Sequence, residues 1–118
     1  MRKILVLAAA LSVIGAAEAQ AHARLLKSNP AKGATVASPA ALRLAYSEDI
    51  VPAQSSVTLT GADKKAAATG PVALDPKDKH VVIVPIAGKL APGAYKVDWS
   101  MHSADGHTMT GDFAFKVK

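Results

Sequence analysis

Tyr95-Lys96-Val97-Asp98-Trp99-Ser100-Met101-His102 alternates apolar and polar side chains without a break. Successive side chains of an extended chain point to opposite faces, so this stretch predicts a strand with one face buried and one wet. Working outward, Leu42, Leu44 and Tyr46 alternate with Ala41, Arg43 and Ala45, and Phe113, Phe115 and Val117 alternate with Asp112, Ala114 and Lys116. Residues 23–27, 56–60 and 80–86 read as three more strands, and residues 72–74 as a weaker seventh. Val81-Val82-Ile83-Val84 is apolar on both faces, which predicts an interior place in its sheet. Proline and glycine recur so often that few windows are long enough for a helix. Residues 62–69, closed off by Gly61 and Gly70, read as a loop, and Leu90-Ala91-Pro92-Gly93 as a turn feeding the Tyr95 strand. The expectation is all-β: a seven-stranded antiparallel Greek-key sandwich or barrel of immunoglobulin-like outline.

Such a strand set fits a chain of 118 residues, half of them apolar and 19% charged, which is one globular domain rather than a disordered or multi-domain chain. The apolar excess is concentrated at the start. Arg2 and Lys3 precede an apolar run from Ile4 to Ile14, followed by small residues through Ala21. A basic start, a short apolar run and an A-x-A end are the parts of a secretory signal peptide, and the run is too short for a membrane span. Three A-x-A frames overlap, giving mature termini at Gln20, His22 or Arg24; the middle frame fits best, so residues 1–21 are read as the signal and 22–118 as the domain. Removing Arg2, Lys3 and Glu18 from 14 basic and 9 acidic residues leaves a net charge of +4. The absence of cysteine excludes disulfides, iron–sulfur clusters and thiolate zinc sites. Export without cysteine suits a periplasm, where a disulfide is permitted but not required.

Chemistry must then come from histidine, carboxylates or methionine. Four histidines stand at 22, 80, 102 and 107. As a mature terminus, His22 offers its free amine and its imidazole Nδ1 to one metal ion. Asp105 and His107 are two apart, the spacing at which extended residues share a side, and Gly106 between them tolerates unusual backbone angles. His22, Asp105 and His107 together make a set of three nitrogens and one oxygen, the donors that Cu(II) prefers. His102 is a reserve ligand on the wet face, and Met109 reads as packing. Glu48 and Asp49 end a strand, and Asp49 reads as a solvated turn acid. His80 is expected on the surface. The positive charge forms no basic stripe, so nucleic acid is not an expected partner. No G-x-S-x-G nucleophile motif and no glycine-rich phosphate loop occurs.

Residues 22–118 resemble the CopC domain, including the YobA-like periplasmic copper-binding proteins. The resemblance is carried by His22-Ala23-Arg24-Leu25, Ser28-Asn29-Pro30-Ala31, Leu42-Arg43-Leu44-Ala45-Tyr46-Ser47-Glu48, Gly93-Ala94-Tyr95-Lys96-Val97-Asp98-Trp99, Ser103-Ala104-Asp105-Gly106-His107 and the closing strand from Gly111 to Val117. It implies a seven-stranded Greek-key sandwich, cupredoxin-like in outline, with a Cu(II) site at His22, Asp105 and His107. Glu48 is implied beside the copper, either supporting it from a distance or as a weak axial ligand. It also implies the His22 frame, one Cu(II) per chain, and a periplasmic carrier or buffer for copper resistance rather than an enzyme. The partner it suggests is a CopD-type inner-membrane protein, and the expected state is a monomer. Some members bind Cu(I) in a methionine-rich loop; this chain has no methionine between Met1 and Met101.

A different class competes. An N-terminal histidine with a second imidazole also resembles the histidine brace of copper-dependent lytic polysaccharide monooxygenases. Asp105 would then fill the position that an oxygen-activating centre leaves open, and the chain is short for an added carbohydrate-binding face.

Overall fold

The computed structural model describes residues 24–118, so the expected signal and His22 lie outside the described residues. Nine strands form among the described residues: β1 (Leu25–Asn29), β2 (Thr35–Val36), β3 (Ala41–Tyr46), β4 (Ser56–Gly61), β5 (Ala66–Ala67), β6 (Ala73–Asp75), β7 (Asp78–Pro85), β8 (Gly93–His102) and β9 (Thr108–Val117). One sheet has the order β1-β3-β7-β6 and the other β2-β9-β8-β4-β5. The seven expected strands are present. The two additional ones, β2 and β5, are two residues long and carry no period to read.

Alternation decides what packs between the sheets. Leu42, Leu44 and Tyr46 of β3 face Val97, Trp99 and Met101 of β8 and Phe113, Phe115 and Val117 of β9, all buried. Full burial of such side chains stabilises the fold by roughly 1.5–3 kcal/mol each before chain entropy is set against it. Val81, Val82 and Val84 of β7 are buried too, and β7 lies between β3 and β6, as its two-faced apolar run predicts. Tyr46 and Trp99 meet edge to face with ring centroids 5.2 Å apart. Burial pushes the Tyr46 phenol well above its ordinary pKa.

Two expectations are corrected. Residues 62–69 are not loop throughout: Ala66 and Ala67 pair with Thr60 and Leu59, because β4 offers a free edge there. The pairing is also not wholly antiparallel. Thr35 and Val36 run parallel to Lys116 and Val117, reached through a turn in which Gly33 holds φ +78°.

The registers gather one set of termini at one end. Leu25 pairs with Tyr46, Ala45 with Val81, and Ser56 with Ser100. The start of β1, the end of β3, the start of β7, the end of β8 and the start of β9 therefore share that end.

Candidate metal centre

The loop from β8 to β9 is built on a buried serine. Ser103 is fully buried, and its amide donates to the His107 carbonyl at 2.9 Å, which closes the loop. The Gly106 amide donates to the Ser103 carbonyl at 3.0 Å, with Gly106 at φ +96°, an angle that favours glycine. The Ser103 hydroxyl donates to Asp105 Oδ1 and lies 3.2 Å from the His107 carbonyl oxygen. The His107 amide donates to the same Asp105 Oδ1 at 3.2 Å. These bonds, the serine's first and the His107 amide's next, hold the Asp105 carboxyl below the usual carboxylate range.

Asp105 Oδ1 stands 3.3 Å from His107 Nδ1, and both side chains remain partly exposed. The structure thus brings this acid and this imidazole together, with the carboxylate ionised well into acid conditions. Glu48 sits on the segment that meets the loop: the Ala104 amide donates to the Asp49 carbonyl at 2.9 Å, and Ile50 bridges to Ser103. Among the described residues no three of His, Cys, Asp and Glu converge on one point, so Glu48 lies on the adjoining segment without joining Asp105 and His107 in a cluster.

The first described residue is tied to the same end. The Arg24 amide donates to Ser47 Oγ at 2.9 Å, and the Ser47 amide donates back to the Arg24 carbonyl at 3.0 Å. His102 is turned to its strand partner, Nδ1 lying 3.1 Å from Thr108 Oγ1. Met109 packs partly buried against the core, opposite Met101. Two contacts escaped the sequence reading, the Ser103–Asp105 hydrogen bond and the Asp49–His80 pair. Ser103 has no signal in its residue type; only its place two before Asp105 marks it. Asp49 and His80 form an exposed pair, Oδ1 to Nε2 at 2.9 Å, between segments far apart in sequence.

Fold and site define a class: a small two-sheet β-sandwich that presents an acid–imidazole loop at one end. Comparison with known proteins makes it specific. The chain belongs to the CopC domain family, which it matches over residues 25–118. It is 39% identical over 99 residues to protein YobA of Escherichia coli K12, covering 83% of this chain and 80% of that one. It is 38% identical over 117 residues to copper resistance protein C of Pseudomonas syringae pv. tomato, covering 92% and 90%. The crystal structure of PcoC, a methionine-rich copper resistance protein from Escherichia coli, superimposes with a TM-score of 0.74 at 32% identity, over 83% of this chain and all of PcoC.

Proposed function

We propose that this is a periplasmic Cu(II)-binding protein that carries or buffers copper in copper resistance, with one Cu(II) per chain as its cargo. Residues 1–21 are the signal, and cleavage exposes His22 as the terminus of the domain. His22 contributes its amine and imidazole, His107 an imidazole and Asp105 a carboxylate oxygen, while Glu48 sits nearby. Nitrogen-rich donors with one carboxylate suit Cu(II). With three methionines in the chain and none between Met1 and Met101, a methionine-rich Cu(I) site has no material.

One observation carries this reading: the clasp between Arg24 and Ser47 lies at the end that carries the Asp105–His107 loop. Two residues span at most about 7 Å of extended chain, so the clasp limits how far His22 can stand from that end. Asp105 supports the reading in a second way. Its Oδ1 receives the serine and amide hydrogens, while Oδ2 accepts none of the hydrogen bonds that hold the loop. The carboxylate is therefore oriented before a cation arrives. Membership of a copper resistance family supports the role, and a CopD-type inner-membrane protein is the proposed partner of a monomeric carrier. Among the described residues no helix is long and apolar enough to cross a membrane.

Intact mass and metal analysis of protein exported to the periplasm test this directly. The expected result is a mass beginning at His22 and one copper per chain. A terminus at Gln20 or Arg24 removes the amine-and-imidazole pair and overturns the site. Cu(II) affinity is also expected to fall from pH 7 to 5, because nitrogens must release their protons to bind metal. A flat profile, or an N-terminal extension without effect, places copper elsewhere.

A further inference from the structure

A cleft of about 630 Å³ opens between the edge of one sheet and the edge of the other. One wall is β1, whose inner edge pairs with β3. The other is the first half of β9. Gly33 donates to the Ala114 carbonyl and Lys116 to that of Ala34, so even-numbered residues of β9 point their amides and carbonyls away from β8. The β8–β9 register runs without a break from Gly93–Val117 to His102–Thr108. Thr108, Thr110 and Asp112 therefore turn their main-chain groups away from β8, with Asp112 lining the cleft, and among the described residues no strand takes them up. Strand edges left open in this way pair readily with added chain, and proteins ordinarily cover or blunt them.

The floor of the cleft is shaped for side chains from such an addition. Trp99 and Met109 line it, and Gly111 leaves room for the indole: a Cβ there would lie 2.5 Å from the ring. The Trp99 N–H is buried with no hydrogen-bond partner among the described residues. Leu26, beside the cleft on β1, is the exposed large hydrophobe of the described residues. The rim is cationic. Arg24, Lys27 and Lys32 line it, and the lining acid, Asp112, already faces Lys96 Nζ at 3.9 Å.

We propose that this cleft receives an extended acidic segment of a partner protein, added as a strand along Thr108–Asp112. Main-chain hydrogen bonds to the open edge supply affinity. Apolar residues at alternate positions pack toward Trp99 and Met109, and the acidic residues between them meet the cationic rim. The surface lies beside the candidate copper centre, since Arg24 and Met109 are each two residues from a proposed ligand, but it does not depend on copper.

The test uses metal-free, isotope-labelled domain and two short capped peptides, one alternating glutamate with valine and one alternating lysine with valine. The glutamate peptide is expected to shift the amide signals of Thr108, Thr110 and Asp112 and to slow their hydrogen exchange. The Lys27→Glu, Lys32→Glu double variant is expected to weaken that binding at least about tenfold, as reversed rim charges do. Thr110→Pro removes one outward amide while sparing the β8 ladder, and is expected to abolish the slowed exchange. Equal binding of the two peptides, shifts that map to another surface, or no effect of the charge reversal would overturn the proposal. Self-association of the unliganded domain through the same amides would equally overturn it, by making a second copy the occupant.

Discussion

The two turns of β8 do opposite work. Its entry, residues 87–92, is held by packing and by bonds that end on neutral groups. Leu90 is buried, its amide donates to Ser38 Oγ at 2.8 Å, and the Tyr95 hydroxyl donates to the Ala91 carbonyl at 2.8 Å. Its exit, residues 103–107, buries a serine instead and spends that serine's hydroxyl on a carboxylate that stays partly exposed. One turn fixes the shape of the sandwich. The other fixes the orientation of an acid and an imidazole without hiding either. The same strand therefore separates the residues that stabilise the domain from those that present chemistry.

Leu90→Ala breaks the first turn and leaves the second alone. It is expected to cost about 2–5 kcal/mol of stability, as large-to-small core changes do, with Cu(II) affinity of the folded protein unchanged. Urea unfolding and a copper titration on the same sample check both halves. Loss of copper binding in folded protein would mean that the two turns are coupled. Ser103→Ala does the reverse. Removing a group that orients a metal ligand is expected to lower Cu(II) affinity by about 10–100-fold, and the lost buried hydrogen bond to cost roughly 1 kcal/mol. Ser103→Thr keeps the hydroxyl and is expected to recover part of the affinity, which the same copper titration checks.

A smaller effect appears in acid. The Asp105 carboxyl is held low in the fold, so its contribution to stability is complete above the ordinary carboxylate range and is lost as pH falls through the lowered value. Asp75 behaves alike, held low first by the Lys77 amide and then by Arg43. Asp105→Asn should therefore flatten the fall in urea midpoint below about pH 4 and leave the midpoint's pH dependence near neutrality unchanged. Persistence of the full acid slope would show that the serine bond does not hold the carboxylate. The smallest change is expected from His80→Ala, which removes the exposed pair with Asp49. Exposed polar pairs of this kind are worth at most about 1 kcal/mol, and copper affinity should not move.

The sequence discloses most of the sandwich, because each long strand carries its own period. Val81–Val84 even announces the interior place of β7, since a strand covered on both faces must be apolar on both. What stays hidden is whatever depends on a partner distant in sequence. Ala66 and Ala67 become a strand because Leu59 and Thr60 leave an edge open, and alanine has no pattern that says so. Thr35 and Val36 are fixed by the far end of β9 in the same way. At the site, Asp105 and His107 are legible from their spacing around Gly106. Ser103 is not, because a loop serine reads the same whether its hydroxyl meets water or a carboxylate. The Asp49–His80 pair joins a strand end to a strand start 31 positions on, which only the β3–β7 register brings together.

The reciprocal bonds between Arg24 and Ser47 have a consequence for how the proposed copper centre is assembled. A ligand on a two-residue tether explores a small volume around its anchor, so its effective concentration at the loop is far above that of a free amine in solution. Much of the entropy cost of gathering distant donors is then met when the chain folds, not when the ion arrives. Lengthening the tether by a few glycines would keep every donor and still weaken binding, since dilution of the terminus alone is enough. In the proposed maturation, leader cleavage is then a timing step: the terminal amine of His22 would be freed only once the chain has crossed the membrane.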